Sequence, residues 1–104
     1  MNKNKQIPSP QGPLKGIKVL NIGTAIAGPW AGTLLGYLGA DVIKVERPSG
    51  EYLRLLFPRQ DGIATAYTAT NLNQRSAEID NKKEEGMNAI QHLALQAYIL
   101  IENF

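Results

Sequence analysis

Gly16-Ile17-Lys18-Val19-Leu20-Asn21-Ile22-Gly23-Thr24-Ala25-Ile26-Ala27-Gly28-Pro29 decides the reading of this chain. An apolar run feeds a turn of small residues, and the turn ends in Gly28-Pro29. Trp30 to Leu38 continues as a helix, and Asp41-Val42-Ile43-Lys44-Val45-Glu46 is a second β-like run directly after it. Strand, tight turn, helix and strand make a βαβ unit. Ile17, Val19, Leu20 and Ile22 form a nearly continuous apolar set from Ile17 to Ile22, which suits a strand covered on both faces of a parallel sheet. Pro29 fits the first helical position, where a missing N–H is no loss. Trp30, Leu34, Leu35 and Leu38 are the helix's apolar side chains. Gly32 and Gly36 lie on one surface, each at a cost of up to about 1 kcal/mol relative to Ala, so close packing against the sheet is the expected compensation. Gly39 is the expected stop. The second strand, Asp41 to Glu46, runs parallel to the first if the crossover has its ordinary right hand.

Upstream, Met1 to Pro13 is polar and holds Pro8, Pro10 and Pro13, so residues 1–13 read as a flexible leader. Downstream, Arg47 to Gly50 opens a loop. Leu53, Leu55, Leu56 and Phe57 are too apolar to hang free and should pack on something. Pro58 to Gly62 reads as a turn, and Ile63 to Asn71 reads equally as a short helix or a strand. Ser76 to Asp80 is a strand candidate. Lys82 to Ala97 has helical spacing, with Met87, Ile90, Leu93, Ala94 and Ala97 on its buried face. Glu84 and Glu85 sit in its first turn, where the helix dipole favours acids. Tyr98 to Ile101 is a last strand. The fold class is therefore α/β, a Rossmann-like open parallel sheet in the order β-α-β-loop-β-α-β over residues 14–104. No helix stands behind the last strand, so the sheet is expected to be a piece of something larger.

With 104 residues the chain is one small domain, and 43% apolar residues is ordinary for a globular protein. The net charge of +2 is too mild and dispersed for a nucleic-acid surface. The absence of cysteine excludes disulfides, thiolate nucleophiles and zinc–thiolate sites. Apolar stretches fall well short of the roughly 20 residues of a membrane span. Ile7-Pro8-Ser9-Pro10 stands where a signal peptide would carry its apolar segment. The expected location is cytoplasmic, with no membrane contact.

The turn from Gly23 to Pro29 is the best candidate site. Ligands of open α/β folds sit beyond the C-terminal ends of strands, and helix N-termini offer N–H groups to anions. The glycines do not match G-x-G-x-x-G, so a ligand-free βα turn stands beside the phosphate-site reading. Glu46 and Arg47 end the second strand. They read either as a ribose acceptor with a phosphate-pairing Arg47 or as solvated loop charges. His92 falls on the polar side of the second helix and reads as a surface residue. Lys82 and Lys83 oppose the helix dipole, which hints at an anion nearby. Asn71 to Ser76 either lines a cleft or caps a turn. There is no metal-ligand cluster and no pair of carboxylates at a catalytic spacing.

Several motifs, in order, resemble the class III CoA-transferases, the group of formyl-CoA and carnitine CoA-transferases and α-methylacyl-CoA racemase. They are Pro13-Leu14-Lys15-Gly16-Ile17-Lys18-Val19-Leu20, Ala27-Gly28-Pro29, Leu38 to Pro48, Asn73-Gln74-Arg75-Ser76, Lys83-Glu84-Glu85-Gly86 and Glu102-Asn103-Phe104. The resemblance implies an N-terminal fragment of a longer, two-domain protein whose chains interlock as a homodimer. It implies CoA or an acyl-CoA thioester as substrate, a carboxylic acid as its partner, and no metal. An aspartate would take the acyl group as a mixed anhydride and then carry CoA as a thioester. That aspartate, like the racemase acid and base, is expected beyond Phe104, so no catalytic residue is assigned in this chain and the chain alone is expected to be inactive. The implied CoA contacts are Thr24, Ala25, Ile26 and Ala27 on the turn, Arg47, the segment Ile79, Asp80, Asn81 and Lys82, and Asn103 with Phe104. Four positions depart from what the resemblance implies: Ile26 stands where formyl-CoA transferase carries a glutamine, Asn21 replaces a frequent aspartate, Gln74 a common lysine, and Tyr98 the aspartate that usually precedes the last strand. The alternatives to a transferase fragment are a racemase fragment, a binding module, one half of a split enzyme completed by a second chain, or a non-functional remnant.

Overall fold

The computed structural model describes residues 11–104, so Met1 to Pro10 of the expected leader lie outside the described residues. Strands β1 (Lys18–Asn21) and β2 (Asp41–Glu46) flank helix α1 (Ala27–Tyr37). A 3₁₀ turn (Tyr52–Leu55), a hairpin of β3 (Arg59–Gln60) and β4 (Ile63–Ala64), and helix α2 (Thr65–Thr70) lead to β5 (Arg75–Glu78). Helix α3 (Glu84–Gln96) then returns the chain to β6 (Ile99–Ile101). The main sheet is wholly parallel in the order β5-β2-β1-β6. This is the α/β, Rossmann-like open sheet that the alternation of elements predicts. The order reverses between β1 and β6, and right-handed crossovers place α1 and α3 on opposite faces.

The core is small. Val19, Ala40 and Val42 are its buried centre, with Leu14, Ile17, Leu35, Ile99 and Ile101 packed around them. Leu14 N donates to Leu38 O at 2.9 Å, which ties the segment ahead of β1 to the end of α1. Gly39 ends α1 at φ 102°, as a glycine after a helix should.

Several local expectations are corrected. Pro29 is the third residue of α1, not the first, and still within the turn whose N–H groups lack helical partners. On α1, Gly28, Pro29, Gly32 and Thr33 are buried and Leu35 packs on the core, whereas Trp30, Leu34 and Leu38 are each 45% exposed. The reason is close approach. A Cβ on Gly32 would lie 2.6 Å from both Asn21 Nδ2 and Gln74 Oε1, and one on Gly36 would lie 2.5 Å from Asn73 O. Gly32 and Gly36 thus admit the Asn73–Gln74 turn onto the helix. On α3 no residue is fully buried; Gly86, Ile90 and Leu93 are half-buried, and Met87 and Ala94 are exposed. Ile63 to Asn71 contains both alternatives, a two-residue strand followed by a helix. Of the apolar segment after Gly50, Leu53 is buried while Leu55 and Phe57 stay exposed. Asp61 and Gly62, at φ 52° and 79°, close the β3–β4 hairpin.

Candidate functional site

Strand β2 alternates in burial, and its inward residues are Val42, Lys44 and Glu46. Two charges therefore enter the interior and must find partners. Lys44 Nζ reaches Glu51 Oε2 at 2.5 Å and also bonds Asn71 Oδ1. Glu46 accepts from Arg54 through both of its oxygens, from the Glu51 amide at 3.0 Å and from the Tyr67 hydroxyl at 3.0 Å. The Arg54 guanidinium lies 3.8 Å from the Tyr67 ring centroid and donates to its hydroxyl at 2.7 Å.

Burial depresses the Lys44 pKa, against the opposing pull of Glu51. Burial pushes Glu46 up, but hydrogen bonds from Arg54, the Glu51 amide and Tyr67 outweigh it and hold the carboxyl below its ordinary value. Burial and the Glu46 carboxylate push the Tyr67 phenol up to about 12. Glu46 is thus neither a solvated charge nor a free ribose acceptor, the two readings its sequence position left open. It anchors the loop after β2.

That anchored loop forms one wall of a cleft of about 390 Å³ at the C-terminal ends of β1, β2 and β5. Ile22 and Thr24 line it from the end of β1, Val45, Glu46 and Arg47 from β2, and Ile79 and Asn81 from the segment after β5. Met87 and Ile90 of α3, Phe104 beyond β6, and Glu51 and Tyr52 of the loop complete it. Arg47 is exposed, and its Nε donates to Gly50 O at 2.9 Å, which folds the guanidinium stem back along the loop.

The turn after β1 is held from both sides. The Gly23 amide donates to Asn21 Oδ1 at 2.9 Å. The Thr24 amide donates to Asn103 Oδ1 at 2.9 Å, and Asn103 Nδ2 returns a bond to Thr24 O at 2.8 Å. A Cβ on either Gly23 or Gly28 would meet the other's Cα at 2.8 Å, so both ends of the turn are in backbone contact. Ala25 at its tip has φ 61°, a left-handed conformation uncommon for a residue with a Cβ.

Of the eleven residues singled out in the sequence, Thr24, Arg47, Ile79, Asn81 and Phe104 meet around this cleft. Asn103 pins the turn without lining it, and Asp80 Oδ1 accepts from the Lys82 amide at 3.0 Å to shape the segment between β5 and α3. Ala25, Ile26, Ala27 and Lys82 lie outside the lining, and Ile26 is 63% exposed. The sequence reading passed over Glu51 and Tyr52. Met87 and Ile90 were read as core, and they instead form the cleft's α3 wall. His92 is on the surface as expected, beside Gln96 Nε2 at 3.2 Å. Among the described residues no helix is long and apolar enough to cross a membrane.

Residues 14–104 match the family described as CoA-transferase family III. The chain is 42% identical over 106 aligned positions to succinate–glutarate CoA-transferase of Agrobacterium fabrum, covering 94% of this chain and 26% of that protein. It is 44% identical over 94 positions to formyl-CoA:oxalate CoA-transferase of Escherichia coli, covering 88% and 23%. Among solved structures, a CAIB/BAIF family protein from Brucella suis superposes with a TM-score of 0.84 at 41% identity, covering 89% of this chain and 26% of that one. The chain spans about a quarter of the length of these relatives.

Proposed function

The chain belongs to CoA-transferase family III, and from that premise we propose that it is the CoA-binding part of an enzyme that moves CoA between carboxylic acids. The observation that carries this reading is the cleft itself. Its walls come from the ends of β1, β2 and β5 and the segment beyond β6, and they gather Thr24, Arg47, Ile79, Asn81 and Phe104. In an open α/β sheet this edge is where ligands bind. An apolar cavity beside an exposed guanidinium suits a ligand that joins a flat heterocycle to phosphates.

The acyl group would leave CoA by attack of a carboxylate on the thioester carbonyl, which forms an anhydride and releases the thiolate. The thiolate then attacks the carboxylate side of the anhydride, freeing the first acid and leaving a protein-bound CoA thioester. The second acid repeats the two steps in reverse. Glu46 and Glu51 are buried and held by Arg54 and Lys44, so they are poor nucleophiles for this attack. We assign the reacting aspartate to polypeptide outside residues 11–104, in keeping with a homodimeric, cytoplasmic enzyme of the full family length. A second reading, one half of an enzyme completed by another chain, is favoured by the uncovered Leu95, Tyr98 and Leu100 around β6, which are 87%, 76% and 54% exposed.

Calorimetric titration of the chain with CoA tests the proposal. Binding is expected, and Arg47→Ala should weaken it several-fold through loss of a phosphate partner. No heat of binding, or equal affinity in the variant, would count against it. Transfer of CoA between acids by the chain alone would refute the placement of the nucleophile.

A further inference from the structure

Among the described residues, Arg47 is the one cation that lines the cleft, and its exposed side chain is held by Gly50. Arg47 Nε donates to Gly50 O, and the Gly50 amide returns a bond to Arg47 O, both at 2.9 Å. Gly50 has φ 79°, a conformation that residues with a Cβ rarely adopt. A Cβ there would lie 2.9 Å from Arg54 Cδ and 3.2 Å from Glu46 Oε2. The Gly50 backbone therefore rests directly on the Arg54–Glu46 pair.

Arg54 does not line the cleft. Its guanidinium is turned onto Glu46 and Tyr67 instead. Nε and Nη2 fork onto the two oxygens of Glu46, and Nη2 also donates to the Tyr67 hydroxyl at 2.7 Å. That hydroxyl donates in turn to Glu46 Oε1 at 3.0 Å. The guanidinium lies 3.8 Å from the Tyr67 ring centroid. A planar fork over an aromatic face has one orientation, whereas an ammonium on a flexible stem has many. Fixed contacts thus run from Tyr67 through Arg54 to Gly50 and end on Arg47. A phosphate gains from a guanidinium already held in place, because less freedom is lost when the ligand arrives. Resting on the CoA reading above, we propose that Arg54 is a positioning residue for Arg47: it touches no ligand, and it sets the loop from which Arg47 meets the phosphates of CoA.

Calorimetric titration with CoA of wild type, Arg54→Lys, Arg47→Ala and the double variant tests this. Arg54→Lys keeps the charge and loses the fork. It should weaken CoA binding about fivefold, the size of one lost hydrogen bond. With Arg47 already replaced by Ala, the same change should alter affinity by less than about twofold. A residue that serves stability alone, or that meets the ligand itself, would weaken binding by one factor in both backgrounds, and that result overturns the assignment. So does an Arg54→Lys chain that binds CoA as wild type does. If Arg54→Lys does not fold, Tyr67→Phe, which removes only the hydroxyl, takes its place with the same pattern expected. Wild-type binding with equal factors in the two backgrounds leaves the CoA reading standing, whereas no binding by wild type overturns both.

Discussion

Asn21 Nδ2 donates to Gln74 Oε1 at 2.8 Å, joining the end of β1 to the turn before β5 across 53 residues of chain. Gln74 Nε2 continues the link to Pro29 O at 3.0 Å and Thr33 Oγ1 at 3.2 Å, and Thr33 Oγ1 donates to Thr70 O at 2.8 Å. Asn21 is fully buried and also receives the Gly23 amide. Asn21 and Gln74, the positions where the resemblance implies an aspartate and a lysine, are therefore bonded to each other.

The pair gives a prediction with a reciprocal control. Asn21→Ala leaves the Gly23 amide and Gln74 Oε1 without partners and should cost about 1–3 kcal/mol, or several degrees of melting temperature in a domain this size. Asn21→Asp alone buries a charge against a carboxamide and should also destabilise. Asn21→Asp with Gln74→Lys should recover most of that loss. Thermal melts of the three variants and wild type measure the coupling, and additive losses in the double variant would break the argument.

Gly86 tests the wall between β5 and α3. Ala for Gly inside a helix ordinarily gains up to about 1 kcal/mol. Here a Cβ would stand 1.8 Å from Asp80 O, a backbone atom that cannot turn aside. Gly86→Ala should therefore destabilise by about 2 kcal/mol or more. It should also weaken CoA binding, because Ile79 and Asn81 line the cleft from the displaced segment. A variant that melts higher than wild type would show the contact to be slack.

Much of the sheet was legible in the sequence because its strands are apolar runs punctuated by glycine and proline. The site's supporting charges were not. Read by pattern, Ile43 and Val45 of β2 belong inside and Lys44 and Glu46 outside, yet Lys44 is 2% exposed and Glu46 7%. Their partners, Glu51, Arg54, Tyr67 and Asn71, come from the segment of short elements between β2 and β5, whose path no local periodicity encodes. On α1 the need for small residues at Gly32 and Gly36 was legible, but the neighbour that requires them was not. These glycines meet the Asn73–Gln74 turn as well as Asn21 of the sheet, and only the tertiary position of that turn shows this.

Glu46 sets an acid limit on stability. Its carboxyl is held below the ordinary value of 4.5 in the folded chain. The unfolded chain therefore takes up this proton first as pH falls. The stabilisation is complete above the unfolded value and is lost as pH drops through the lower, folded one. Glu46→Gln should be less stable at neutral pH by about 1–3 kcal/mol. Its melting temperature should also fall less than that of wild type when the pH is taken below 4.5. Parallel pH profiles for the two proteins would remove Glu46 from the acid response.

The outer edge of β6 supplies the last prediction. In the order β5-β2-β1-β6 this strand pairs, among the described residues, on one side only, with β1. Leu100 on it is 54% exposed, and Leu95 and Tyr98 just ahead of it are 87% and 76% exposed. An unpaired edge flanked by large apolar side chains is a template for association. The isolated chain should therefore self-associate as its concentration rises, as sedimentation velocity would show. Leu95→Lys with Leu100→Lys should make it monomeric. Those side chains are largely uncovered, so the charges should cost less than about 0.5 kcal/mol in melting experiments. Mixing the chain with the remaining three-quarters of a family protein should suppress self-association of the wild type and leave the doubly charged variant unbound. A wild-type chain that stays monomeric at every concentration would mean that this edge is closed in solution, and the case for a missing neighbour at β6 would fall.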